Sequence, residues 1–370
     1  MPIFMDRHDL PESVTAEEVA RLHQEDLKIE HKFGCKGMTY WFDEVRNTAF
    51  CLIQAPNRQA LQDMHNQAHG AVANRIIEVE PSIVESFLGR IEDPVKARNT
   101  DLNIINDPAF RILMVIKPNT HYYLKRLSKD SNVNHGISVN ENIKKNINVF
   151  GGRHVPSEGF RYLVSFESVS SALDCSMSIV KSCKKNGETS AEHSEIKIGL
   201  SSGLPFEQEE GLFKETIKHA ARLCSNVSGH IVIPHDLKEL YESENLGTEI
   251  DQLHIRTLSP SEEGFLRSLM DFMEISYNRA DLKIENFSSH LGLSKAQLYR
   301  KVKGLTGKSL NSFVKDYRLE KALQLLLKKM GNISEVAFDT GFNSPAYFSK
   351  CFSGAYGIPV SYTHLRAHET

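Results

Sequence analysis

Val336-Ala337-Phe338-Asp339-Thr340-Gly341-Phe342-Asn343-Ser344-Pro345-Ala346-Tyr347-Phe348-Ser349-Lys350-Cys351-Phe352 reads as a helix, a tight turn and a second helix. Ile333, Val336 and Ala337 make an apolar inner face, Gly341 supplies the left-handed residue that ends a helix, and Phe342 follows it. Ser344 is a good N-cap, and Pro345 falls in the first helical turn, where its missing N–H is not needed. Phe348 and Phe352 then point inward at i, i+4, leaving Ser349 and Lys350 outside.

The same pattern occurs upstream. Ile284, Phe287 and Leu291 lie at i, i+3, i+7, Gly292 ends the helix, and Ser294 caps the next. From Lys295 to Lys303, Leu298 and Val302 share one side, with Tyr299, Arg300 and Lys303 on the other. Ser288 and Ala337 each precede a turn glycine by four residues, where a small side chain lets two helices cross closely. Between the units, Ser309 to Lys329 carries Phe313, Tyr317, Leu319, Ala322, Leu323 and Leu326 at helical spacing. Such a helix is roughly 30 Å long, close to the ~34 Å between successive major grooves on one face of DNA.

Charge points the same way. Residues 283–360 carry twelve Lys/Arg against five Asp/Glu, and residues 1–93 carry nine against sixteen. The overall charge of −3 conceals this gradient. A basic rear and an acidic front imply that the rear meets a polyanion.

Residues 265–360 resemble the AraC/XylS family of bacterial transcription regulators, and Val336–Phe352 matches that family's most specific motif. The resemblance implies sequence-specific binding to double-stranded DNA by two helix-turn-helix units on one linker helix. It also implies a homodimer, and RNA polymerase as a partner if the protein is an activator. The first recognition helix then offers Lys295, Ala296, Gln297, Tyr299, Arg300 and Lys303 to DNA. Arg300 is the expected base reader, because a guanidinium pairs bidentately with guanine O6 and N7. Lys295, Lys301, Lys303 and Lys308 are expected to grip phosphates, which adds affinity without sequence preference. The second helix offers Pro345, Ala346, Ser349 and Lys350, a set suited to shape fit and phosphate contact.

The middle of the chain alternates strand-like and helix-like stretches from Arg111–Ile116 to Ile231–Pro234. Ile196-Lys197-Ile198-Gly199-Leu200-Ser201-Ser202-Gly203, then Glu215-Thr216-Ile217-Lys218-His219-Ala220-Ala221-Arg222-Leu223 and Gly229-His230-Ile231-Val232-Ile233, resemble the class III nucleotide cyclase domain. Catalysis there needs two aspartates, since Mg²⁺ takes hard oxygen ligands. The first strand has none, the second position falls at Glu158, and Lys218 stands where that family keeps an asparagine. A non-enzymatic scaffold for dimerisation or ligand sensing is the expectation. Arg222 remains as a candidate ligand for a phosphate-bearing effector, with a structural salt bridge as the alternative.

Residues 1–93 hold five of the sixteen histidines. His65 and His69 are spaced i, i+4, within reach of one metal on a helix face, although such pairs are also common surface decoration. His8, with Asp6 and Asp9 beside it, follows a first strand over Pro2–Met5; His23 and Glu25 fall on a helix opened by a Thr15/Glu18 capping box. Phe33–Trp41 and Thr48–Ile53 read as two strands around a turn, the histidine helix follows, then Ile76–Val79. This β-α-β-β-α-β order resembles a small bacterial family of ferredoxin-like proteins described as nickel-binding or nickel-responsive. The resemblance implies a metal site for nickel or another divalent transition metal, with His8, His65 and His69 as ligands and His23 and Cys51 in reserve.

No run approaches the ~18 apolar residues of a membrane span, the N-terminus lacks a secretory pattern, and six cysteines without a CxxC pair argue against a disulfide framework. A cytoplasmic protein is the expectation. The full reading is a multidomain chain: two α+β domains, ferredoxin-like (1–93) and cyclase-like (110–247), then an all-α domain with two helix-turn-helix units (264–360). Linkers are expected at 94–109 and 248–263. Residues 361–370 resemble a translated sequencing-adapter tail, so His364 and His368 are not counted as ligands. The alternatives are a metal-buffering protein or a nucleotide cyclase with an appended DNA-binding domain.

Overall fold

The computed structural model describes residues 1–70, 73–94, 102–118, 134–157, 161–184, 196–207, 211–248, 250–251 and 254–361. Glu158 and residues 362–370 of the expected tail lie outside them. Strands β1 (Ile3–Asp9), β2 (Lys36–Asp43), β3 (Thr48–Gln54) and β4 (Arg75–Val79) form an antiparallel sheet in the order β2-β3-β1-β4. Helices α1 (Ala16–Phe33) and α2 (Arg58–Ala68) complete the β-α-β-β-α-β order, and α3 (Pro81–Leu88) follows. Thr15 and Glu18 form the capping box that opens α1.

Strand alternation sorts the side chains of this sheet. Phe4, Cys51 and Ile53 join a core with Val19, Ala20, Leu61 and Met64 of α1 and α2. Met5, Phe50, Leu52 and Trp41 face the other way. β1 is longer than Pro2–Met5, so His8 lies within the strand, on the same face as Phe4 and Asp6.

The second sheet contains β5 (Arg111–Lys117), β6 (Arg153–Val155), β7 (Tyr162–Phe166), β8 (Lys197–Gly203), β9 (Ile231–Ile233) and β10 (Ile255–Thr257), in the order β10-β9-β8-β5-β7-β6. Ile112, Met114 and Ile116 pack with α4 (Asn134–Val149), α5 (Val169–Lys184) and α7 (His235–Glu244). Leu113 and Val115 face α6 (Lys214–Asn226) and the Met5–Trp41 face of the first sheet. Gly199 of β8 has no room for a side chain: a Cβ there would lie 2.3 Å from the Ala220 carbonyl oxygen of α6.

The described residues of both stretches expected as linkers contribute to the fold. Phe42 N–H, on an edge strand that needs acceptors, donates to the Asp107 carbonyl at 3.0 Å, and Ile105 is buried. In 248–263, β10 pairs parallel with β9 and Leu258 is fully buried. Ile255 and Leu258 are apolar positions spaced among polar residues, which hid the strand.

The C-terminal part is all helical: α8 (Pro260–Ser276), α9 (Ile284–Leu291), α10 (Lys295–Thr306), α11 (Leu310–Leu327), α12 (Ile333–Asp339) and α13 (Pro345–Tyr356). Gly292 and Gly341 take positive φ at the two turns, +63° and +82°. The first half of α11 (Leu310, Phe313) shares a core with Phe287, Leu298, Val302 and α8, into which Leu223, Val232 and Leu258 also reach. Its second half (Leu319, Leu323, Leu326) packs with Val336, Ala337, Phe348 and Phe352. Burying each phenylalanine stabilises this core by about 2–3 kcal/mol.

Candidate nucleic-acid interface and metal centre

On α10 the 3.6-residue period buries Leu298, Val302 and Leu305 and leaves Lys295, Ala296, Gln297, Tyr299, Arg300 and Lys303 exposed. Arg300 stands in solvent beside Tyr299, a residue that is 52 % exposed. Gln297 also has a structural role: Ser294 N–H donates to its amide oxygen at 2.9 Å, and Gln297 N–H donates to Ser294 Oγ at 3.3 Å. Lys295 pairs with Glu285, Lys303 donates to the Gly307 carbonyl at 2.7 Å, and Lys308 meets Asp316 at 2.6 Å. Lys301 lies 5.4 Å over the Phe265 ring. On α13, Ala346 and Lys350 are exposed, while Pro345 and Ser349 are half-buried and Ser349 Oγ donates to the Pro345 carbonyl at 2.9 Å. Tyr347, 57 % exposed, was not among the expected contacts. Its position off the Phe348/Phe352 face was the available signal.

The second constellation lies between the first sheet and its two helices. Asp6 and His8 come from one face of β1, and Cys51 is the register partner of Asp6 on β3. The inner face of α1 carries Val19, Ala20, His23 and Asp26, and α2 buries Leu61, Met64 and His65, with His69 one turn on. His65 sits at the centre. Its Nε2 is 2.7 Å from Asp6 Oδ2 and its Nδ1 is 3.1 Å from Asp26 Oδ1. His69 Nε2 lies 3.2 Å from Asp26 Oδ1, and His8 Nε2 lies 3.4 Å from Asp6 Oδ1.

Burial opposes the charge on Asp6, yet His8 and His65 hold its carboxyl far below the usual range. Burial likewise opposes charge on Asp26, and hydrogen bonds with His65 and His69 lower it. Burial disfavours the His65 imidazolium too, but hydrogen bonds to Asp26 and Asp6 push its pKa up to about 10. Burial, with Asp6 next, pushes the Cys51 thiol well above its ordinary value. A protonated imidazole clamped between two buried carboxylates is thus the internal counter-cation.

The donors form two groups, Asp6–His8–Cys51 and Asp26–His65–His69, each with its ligand atoms within 4.8 Å of one another. A cavity of about 30 Å³ touches both. Imidazole, carboxylate and thiol around a space of one-ion size fit a borderline divalent cation such as nickel, zinc or copper. His8, His65, His69 and the reserve Cys51 therefore converge. His23 lines the same cavity but turns its Nε2 to Asp93 Oδ2 at 3.4 Å. Sequence reasoning missed Asp26 and took the exposed Glu25 for its neighbourhood. Asp26 continues the Val19–His23 face at i+7, and that was the legible signal.

Arg222 is engaged in ion pairs at the edge of a cleft that it lines with Lys214, Lys218 and Arg267. Its guanidinium meets Asp271 at 2.6 Å and Glu274 at 2.7 Å on α8, and Lys218 reaches Glu274 at 3.1 Å.

Residues 4–79 match the family model described as Nickel responsive protein SCO4226-like, and residues 287–364 match that of a Helix-turn-helix domain. Histidine kinase P4 of Formosa agariphila is 36% identical over 113 residues, covering 30% of this chain and 8% of that protein. An uncharacterized HTH-type transcriptional regulator in the cgkA 5' region of Pseudoalteromonas carrageenovora is 28% identical over 116 residues, 31% of this chain and 64% of that protein. The solved structure of SCO4226 from Streptomyces coelicolor is 32% identical and covers 21% of this chain and 94% of that one, with a TM-score of 0.20. The chain spans less than two thirds of the length of these curated relatives. It carries an AraC-type helix-turn-helix domain at its C-terminus and an SCO4226-like domain at its N-terminus. Among the described residues, no helix is long and apolar enough to cross a membrane.

Proposed function

We propose that the protein is a sequence-specific regulator of transcription whose DNA affinity responds to a divalent transition metal, with nickel the leading candidate. The observation that carries the DNA reading is α10. Its apolar face is locked into a core while Tyr299, Arg300 and Lys303 stand in solvent, within the region that matches a helix-turn-helix domain. In this reading α9–α10 and α12–α13 are two helix-turn-helix units set in neighbouring major grooves. The eighteen-residue α11, about 27 Å long, spans between them. Arg300 reads a base. Ala296, Gln297 and Tyr299 pack along the groove, Lys295 and Lys303 meet phosphates once they exchange their present partners for DNA, and Lys301 and Lys350 meet phosphates as well. Pro345, Ala346 and Ser349 supply shape.

The ferredoxin-like N-terminal region holds the metal through His8, His65 and His69 with Asp6, Asp26 and Cys51. The ion supplies the positive charge that two buried carboxylates demand, in place of the His65 proton. The middle region, cyclase-like but without the catalytic aspartate on β5, serves as scaffold and dimerisation element in a cytoplasmic homodimer. RNA polymerase is the further partner if the output is activation. A metal changes transcription only if it favours one DNA-binding state, typically by about 1–3 kcal/mol.

The test is duplex affinity of the full-length protein on a site selected from random DNA, in chelator and with added nickel. A severalfold change supports the reading. Selective binding that ignores nickel removes the sensor and leaves the regulator, and tight nickel binding without selective DNA binding makes the protein a metal buffer.

A further inference from the structure

The two helix-turn-helix units are charged very differently. Residues 283–330 carry eleven Lys/Arg and three Asp/Glu, whereas residues 331–360 carry one lysine and two acidic residues. Helix α10 has four cations, Lys295, Arg300, Lys301 and Lys303, and α13 has only Lys350. Charge-driven contact with phosphates therefore falls almost entirely to the first unit.

Hydrogen-bonding side chains are also few at the start of α13, and they are committed. Ser344 Oγ, at the N-cap, accepts from Tyr347 N–H at 3.3 Å, and Ser349 Oγ donates to the Pro345 carbonyl at 2.9 Å. The Tyr347 hydroxyl is bonded with the Cys351 thiol one turn on, which leaves the ring as the group free to meet a base. Phe348 and Phe352 are buried and fix the opposite face of the helix, and the Phe342 ring lies 6.3 Å from that of Tyr347. Asn343 is exposed but lies outside the helix, in the turn before it. What α13 holds outward in its first turn is thus the methyl group of Ala346 and the ring of Tyr347. A recognition helix meets base edges with its N-terminal residues. To an apolar surface placed there, the landmark that tells one base pair from another in the major groove is the C5 methyl group of thymine.

We infer that the second unit reads thymine methyl groups, with the Ala346 methyl and the Tyr347 ring packed against them. This rests on the DNA reading proposed above and adds which base the second unit selects. The target site then has unlike halves. One is read by Arg300 through hydrogen bonds and carries most of the salt dependence; the other is read through apolar contact.

The experiment measures the affinity of full-length protein, by fluorescence anisotropy, for a duplex selected from random DNA in which each thymine in turn is replaced by deoxyuridine. That change removes one methyl group and leaves every hydrogen-bonding position of the base in place. Wild type should lose about fourfold at one or two thymines, the worth of one buried methyl group. Those thymines should lie about one helical turn from the base at which Arg300→Ala relaxes selectivity. Tyr347→Ala should bind the thymine duplex more weakly and, at one of these positions, no longer distinguish thymine from uracil. Tyr347→Phe, which keeps the ring, should behave as wild type. Methyl effects that are absent, or confined to the half read by Arg300, would overturn the inference. So would a methyl effect that survives Tyr347→Ala in full, or a loss in Tyr347→Phe equal to that in Tyr347→Ala, which would make the hydroxyl the reader. A wild-type protein that selects no duplex at all would instead overturn the DNA reading, and this inference with it.

Discussion

Arg256 on β10 tests how firmly the middle region holds α10, the helix proposed to read DNA. Its guanidinium Nη1 donates to the carbonyls of Ser228 and Leu305, each at 3.0 Å, and Nη2 donates to the Gly304 carbonyl at 3.0 Å and to Glu262 at 3.3 Å. Gly304 and Leu305 belong to the last turn of α10, where carbonyls lack helical partners and a cation is favoured. Arg256→Met keeps the aliphatic stem and strips the donors. Three charged hydrogen bonds at ~1.5–3 kcal/mol each would amount to roughly 4.5–9 kcal/mol if none were replaced. Two of the three carbonyls have substitutes, however. Leu305 O still accepts from Ser228 N–H at 3.0 Å, and Gly304 is exposed to water. The part-buried Ser228 carbonyl and the lost helix-end charge remain, together about 2 kcal/mol. If α10 opens locally, its last-turn amides should exchange about 30-fold faster, since every ~1.4 kcal/mol is tenfold. Hydrogen exchange by mass spectrometry on peptides spanning 295–308 in the full-length protein reads this directly. An increase below threefold would refute the argument that Arg256 clamps the helix end.

Three further outcomes follow from the same packing and charge. Gly199→Ala places a Cβ 2.3 Å from the Ala220 carbonyl oxygen and 2.5 Å from Cys224 N, both backbone atoms, and should lower stability by about 3 kcal/mol in a urea titration; a loss under ~1 kcal/mol would mean α6 shifts easily. Glu320 of α11 lies 3.0 Å from Lys117 Nζ and also bonds Arg161. It has a folded pKa depressed from 4.5 to about 2, so its contribution, at most ~3 kcal/mol, is complete above pH 4.5 and lost as pH falls toward 2. Glu320→Gln should therefore lose less stability than wild type between pH 6 and pH 3, and equal losses would dismiss the ion pair as a source of acid sensitivity. Arg300→Ala should cost ~1–3 kcal/mol on the selected DNA site and relax its selectivity. Lys301→Ala should instead weaken all duplexes alike and reduce the salt slope by about 1; the reverse pattern would exchange their roles.

What was legible in the sequence was what is encoded locally. Gly341, Ser344, Pro345, Phe348 and Phe352 fall within a few turns of one another, and each acts on its own neighbourhood as cap, turn or core. The i, i+4 spacing of His65 and His69 was visible for the same reason. Asp26 shared a helix face with Val19, but its role was not visible, because its partners His65 and His69 come near only when α1 and α2 pack side by side. Arg111 was invisible in the same way. It is 1 % exposed, with its guanidinium donating to the carbonyls of Phe87 and Pro108 at 3.2 and 2.6 Å, contacts that no periodicity announces. The strand Ile255–Thr257 is too short for alternation to register, and its pairing with β9 rests on Ile231 and Ile233, far away in sequence.

The arrangement of the cores constrains how a signal at the N-terminal cluster could reach DNA. The first sheet packs onward through the face opposite the histidine cluster, by Met5, Trp41, Phe50 and Leu52 against Leu113, Val115 and Phe213. Ala220 and Cys224 of α6 belong to that same core, while Leu223 of α6 and Val227 just beyond it belong to the core that holds α8, α10 and the start of α11. One helix therefore has a face in each. Its Arg222 is bound to two carboxylates of α8, so a shift of α6 moves the support of α10 with it. Coupling requires an element with two arrangements whose balance both sites bias, and intermediacy alone does not make one. What α6 adds to intermediacy is tight contact on both sides: Gly199 leaves no slack beneath it, and the Asp271 and Glu274 bridges tie it above. A close-packed element so placed transmits a displacement and does not absorb it.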